Sequence, residues 1–98
     1  MTTINIYKEA GEFAENKDVA KKLRQEIILP NLKNGEQIEF DFQQVSGVTQ
    51  SFIHALISEA IRQYGDKAFE NLLYKNANAQ VKEIIKTVYE YMQESLDI

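Results

Sequence analysis

Apolar residues recur along this chain with two different periods, and each change of period predicts a new element. Thr3 to Tyr7 alternates, with Ile4 and Ile6 on one side and Thr3, Asn5 and Tyr7 on the other, the pattern of a short half-buried strand. Gly11 then releases the chain. Asn16 is placed to cap a helix whose first turn carries Asp18, an acid beside the positive end of the helix dipole. Val19, Ala20, Leu23, Ile27 and Ile28 follow at helical spacing and form a buried stripe. Pro30 disfavours helical geometry at Leu29, so the helix is expected to stop or kink there, with Leu32 in a further irregular turn and Asn34-Gly35 closing the connection. Ile38 to Phe42 is apolar at every second residue and acidic between, a second strand with one buried face. The loop Gln43 to Val48 leads into a long helix from about Thr49 to Tyr64. There Phe52, Ile53, Leu56, Ile57, Ala60, Ile61 and Tyr64 share one broad arc, and Gly65-Asp66 ends the run. Phe69 to Tyr74 reads as a third strand, although the adjacent Leu72 and Leu73 break its alternation. Asn78 is placed to cap a last helix carrying Val81, Ile84, Ile85, Val88 and Met92.

Strand and helix therefore alternate three times, which predicts a single small α/β domain of βαβαβα order over residues 1–98, with a mainly parallel sheet. Because Ile38, Phe40 and Phe42 all point one way, the helices are expected to concentrate on one face and leave the other open. An unpaired sheet edge would favour a homodimer. At 98 residues, 44% hydrophobic and 27% charged, the chain has a globular balance and room for one core. The absence of cysteine excludes disulfides and thiolate chemistry and suits a cytoplasmic setting. No apolar run approaches the ~20 residues that span a bilayer, so no membrane partner is expected.

Fifteen acidic against eleven basic residues give a net charge of −4, the wrong sign for a protein whose main task is to neutralise phosphates, and nucleic acid is not an expected partner. Lys17, Lys21, Lys22 and Arg24 cluster on the first helix, but Asp18 and Glu26 interrupt them, so they read as a solvated face. The single histidine, His54, has Ser58 one turn later and Arg62 two turns later, neither a metal ligand partner, and no metal or other cofactor is expected. Isolated glycines provide no phosphate-cradling loop. An enzyme is not the expected reading. The competing one is a small ligand-binding domain or enzyme using Asp41, Thr49, Ser51 and His54, where a strand ends and a helix begins.

The segment from Ile38 to Leu56 joins an alternating strand, a short polar loop, a valine and a Thr49-Gln50-Ser51 step opening an apolar helix. It resembles the strand-loop-helix core of STAS domains, the fold of bacterial anti-sigma-factor antagonists. The run Asn76 to Val81 leading into Ile84-Ile85 is similar to STAS-like small bacterial proteins. In the antagonists this loop carries a phosphorylated serine; matched residue by residue, that position is Gln50 here, which cannot take a phosphate, with Thr49 before it and Ser51 after it. The resemblance implies a regulatory protein-interaction module. Its partner would be a histidine-kinase-type ATPase or anti-sigma-like factor, docked through Ser46, Thr49, Gln50, Ser51 and His54, with Thr49 and Ser51 as candidate phosphorylation sites. A plainer role for the same hydroxyls is structural, with Ser46 or Thr49 capping the helix and Ser51 completing its first turn.

Overall fold

Strict alternation over short stretches produces the central sheet, in which β1 (Thr2–Asn5), β3 (Ile38–Asp41) and β5 (Leu72–Lys75) lie parallel in the order β1-β3-β5. The computed structural model describes residues 1–96, with side chains as far as residue 93. Ile4 lies beside Phe40, Ile38 beside Leu72, and Phe40 beside Tyr74, so one face of the sheet is a continuous apolar layer. The opposite face carries Thr3, Asn5, Glu39, Asp41 and Lys75, tied by a bond from the Thr3 hydroxyl to Glu39 (3.3 Å) and by a Lys75–Glu39 ion pair (3.2 Å). The helices thus gather on the apolar side of an α/β fold, as the alternation predicts.

A second, smaller parallel pair joins β2 (Phe13–Ala14) to β4 (Gly47–Val48), which no periodicity announced because each strand has two residues. Gly47 lets two side chains close over the strand. A Cβ there would lie 3.1 Å from the Phe13 ring and 3.3 Å from the Gln80 amide oxygen.

α4 (Gln50–Tyr64) is the central helix, packed between α2 (Lys17–Leu23) and α6 (Ala79–Leu96), and Phe52, Ile53, Leu56, Ile57, Ala60 and Ile61 are fully buried on it. Thr49 caps it by accepting the Phe52 N–H at 3.1 Å, and Gly65, at φ 54°, ends it. Asn16 caps α2 through the Asp18 and Val19 amides, and Asn78 caps α6 through the Val81 amide.

Three local predictions need correction. The first strand stops at Asn5, because its side chain accepts the Lys8 N–H (2.9 Å) and caps α1 (Ile6–Ala10); Ile6 stays buried from that helix. The first long helix does not stop at Pro30. It continues through a π-helical turn (Arg24–Ile28) into α3 (Leu29–Lys33), with Leu29 helical at φ −64° and ψ −44°. The Leu29 amide bonds back to Arg24 O, five residues away, and this widened turn accommodates a proline ring that would strike a carbonyl in a regular helix. Glu36 and Gly35 then close α3 with amide bonds to Asn31 and Leu32, the Schellman arrangement that Asn34-Gly35 permits. Finally, Phe69 does not open a strand. Asp66–Asn71 forms α5, with Ala68 and Phe69 turned inward, and β5 begins only at Leu72 where true alternation starts.

The connection from β3 to α4 is held by α6. The Gln80 side-chain amide pairs with both backbone groups of Val48, accepting its N–H at 2.9 Å and donating to its carbonyl at 3.1 Å, as a neighbouring strand would. Asn78 donates to the carbonyls of Val45 (3.4 Å) and Ser46 (2.9 Å).

Removing the side-chain amide with Gln80→Ala leaves the buried Val48 N–H without a partner, and should cost about 1–3 kcal/mol in chemical denaturation. A loss below about 0.5 kcal/mol, the range of neutral surface changes, would contradict the assigned role. Asp41, at the end of β3, accepts from the Asn76 side chain (2.9 Å) and the Gln43 amide (3.0 Å), and these bonds hold its carboxyl below the usual range. Its contribution to stability is therefore present above the unfolded value of about 4 and is lost as pH falls through the lower folded value. Asn76→Gly keeps the left-handed backbone (φ 58°) and should move the Asp41 titration, followed by carboxyl NMR, upward towards the ordinary value; an unmoved titration would exclude the bond as its main cause.

Candidate functional site

Two parallel strands of the small sheet feed two helices that start side by side, so the starts of α2 and α4 lie at the same end of the molecule. The junction is anchored on the β2 side too. Glu12 O accepts the Ser46 amide (2.8 Å) and hydroxyl (3.2 Å), and Ala14 O accepts the Thr49 amide (3.0 Å). Ser46 and Thr49 therefore direct their hydroxyls to backbone groups, Ser46 to Glu12 O and Thr49 to the Phe52 N–H. Of the two capping candidates, Thr49 is the cap.

Gln50 and Ser51 differ from them. Both are exposed on the first turn of α4, and among the described residues neither side chain has a hydrogen-bond partner within the protein. They open onto a groove of about 700 Å³ between α2 and α4, lined also by Lys17, Lys21, Arg24, His54, Ser58, Arg62 and Tyr91. His54 is half-buried, its ring set edge-on to Tyr91 at 5.9 Å. Burial first, and the Arg62 charge second, hold its pKa below the usual histidine value, so it is mainly neutral near pH 7.

The groove gathers Gln50, Ser51 and His54 and leaves Ser46 and Thr49 in the supporting frame. Of Asp41, Thr49, Ser51 and His54, Ser51 and His54 line the groove, Thr49 caps α4, and Asp41 is bonded to Asn76 and Gln43. No hydrogen bond joins Ser51 to His54 among the described residues. Nor do three His, Cys, Asp or Glu side chains come together there as a metal-holding group.

The cationic residues of the first helix, legible in the sequence as a solvated face, form one wall of this groove, with Lys17 and Lys21 exposed. At about 100° per residue, Lys17 and Lys21 lie about 40° apart on the face that meets α4, with Asp18 about 60° beyond Lys21 and outside the groove lining. Arg24 spans the floor, donating from Nη1 to the Ala55 carbonyl of α4 at 3.2 Å. The clamp formed by Asn78 and Gln80 had a weaker signal. Asn78 was legible as a cap, but nothing in local spacing links either residue to Val45, Ser46 or Val48, more than thirty positions earlier.

No helix among the described residues is long and apolar enough to cross a membrane. Neither the curated proteins nor the solved structures contain a match to the chain. A family model described as a STAS-like domain of unknown function (DUF4325) matches residues 19–82, a stretch running from α2 through the clamped junction and α4 to the first turn of α6. The parallel sheet, the strand-loop-helix junction and this match together place the chain in that family of STAS-like domains.

Proposed function

We propose that this STAS-like domain is a non-enzymatic, cytoplasmic regulatory module that docks a protein partner at the start of α4. The observation that carries the reading is the contrast between adjacent residues. The backbone from Val45 to Thr49 is fastened by Glu12, Ala14, Asn78 and Gln80, whereas the next two side chains, Gln50 and Ser51, are exposed and uncommitted. A rigid platform that presents free polar groups loses little conformational entropy when a partner binds. His54 and Tyr91 add aromatic surface beside it.

Within the STAS resemblance, the partner is a histidine-kinase-type ATPase or an anti-sigma-like factor. Gln50 stands where those antagonists are phosphorylated, so control by phosphate at that position is lost. Of the neighbouring hydroxyls, Thr49 is engaged in the cap and Ser51 is free, which leaves Ser51 as the better phosphate acceptor.

A photo-crosslinking amino acid at Ser51, introduced in the protein's own cells, should trap one discrete protein adduct that is absent when the same group is placed at the exposed Glu36. The paired change Gln50→Glu and Ser51→Glu should abolish binding of that protein without loss of stability, because both side chains are solvent-facing and acids suit the first turn of a helix. The same adducts from Ser51 and Glu36, or undiminished binding by the double variant, would reject the site.

A further inference from the structure

A chain of net charge −4 nevertheless lines one groove with Lys17, Lys21, Arg24 and Arg62, and among the described residues no carboxylate lines it. Among the described residues, Lys17, Lys21 and Arg24 form no ion pair, and Arg62 alone is paired, with Glu59 at 3.2 Å. Arg24 is the most telling of the four. It is half-buried, anchored by one bond to Ala55 O, and its Nε is buried without an acceptor. Glu59 feels the Arg24 charge only through space, without an ion pair among the described residues, so a half-buried cation at the groove retains room for an anion beside it.

The arrangement also specifies the form of that anion. Lys17, Lys21 and Arg24 stand in a row along one wall, spanning about 10 Å at a rise of 1.5 Å per residue. Donors that converge on one point suit a single phosphate. A row of about 10 Å instead suits an extended chain, whose same-face side chains recur about every 6.6 Å, close to the rise of about 6 Å from Lys17 to Lys21. Ala55 and Ser58 on α4 contribute small side chains to the lining, and the groove is open to solvent, as a peptide segment needs.

We infer that the α2/α4 groove seats an acidic segment of a protein partner, its carboxylates lying along Lys17, Lys21 and Arg24 with Gln50 and Ser51 at one end and Arg62 at the other. This rests on the docking reading above and names the chemistry of the partner. Charge complementarity of this kind accelerates encounter and sets the register of the bound segment, and it weakens with salt.

The test is an NMR titration of the isotopically labelled full chain with a hexaglutamate peptide at low salt, beside hexaserine and inorganic tripolyphosphate. Hexaglutamate should shift amides within residues 17–24 and 50–62, and high salt should erase the effect. Lys17→Glu with Lys21→Glu, both at exposed positions, should weaken binding about tenfold or more, and the milder Lys17→Gln with Lys21→Gln should weaken it less. No shifts, equal shifts from hexaserine, or unchanged binding by the charge-reversed chain would overturn the proposal. Saturation by tripolyphosphate without binding of hexaglutamate would overturn it in favour of a small phosphate ligand. The two readings fail separately: a cross-linked partner that depends on Gln50 and Ser51 but ignores Lys17→Glu with Lys21→Glu removes the acidic segment and keeps the docking site.

Discussion

The pairing of the Gln80 side-chain amide with the backbone of Val48 is the constraint on which the rest of the site depends. β4 has only two residues and one strand neighbour, β2, so its other side would be an unsatisfied edge. Gln80 supplies the missing donor and acceptor in a single group, and Asn78 holds the carbonyls of Val45 and Ser46 just before it. An unpaired Val48 amide, nearly fully buried, would cost more than either bond contributes in net terms. The last helix thereby determines where the fourth one starts.

With that start fixed, the remaining geometry follows. α2 and α4 leave neighbouring parallel strands, and Arg24 bridges them to Ala55 lower down. The groove is held open between an anchored end and a cross-linked floor, and its lining draws cations from one helix and polar groups from the other. The apolar demands are met elsewhere. Phe40 and Phe42 stack on Tyr74, which bonds to Tyr89 through the two hydroxyls at 2.6 Å, and burial pushes both phenols' pKa values up. The interior is thus closed by aromatic packing on one side of the central helix, while the polar groove occupies the other flank.

Much of this was legible in local pattern. Period-two alternation located β3, helical periodicity located α4, and Asn16, Asn78 and Gly65 marked helix ends as their side-chain chemistry predicts. What escaped depends on tertiary partners. Pro30 looked terminal because the rule for the residue before proline assumes a regular helix, and a π turn relieves the clash. Phe69 resembled a strand residue until its half-buried side chain is seen packed on Tyr89 from the short helix α5. The same limit applied at the site. Gln50, Ser51 and His54 could be singled out from the junction, and they do share the groove; Gln80 and Arg24 acquire their meaning only from Val48 and Ala55, distant in the chain.

The most direct measurement of the central claim is native-state hydrogen exchange at single-residue resolution across the junction. If the junction is a clamped platform, the Val48 and Thr49 amides, bonded to Gln80 and Ala14, exchange only through openings close in free energy to global unfolding, while Gln50 and Ser51 exchange freely. Val48 and Thr49 exchanging as fast as their neighbours on the helix start would contradict it, since a frayed junction presents no preformed surface to any partner.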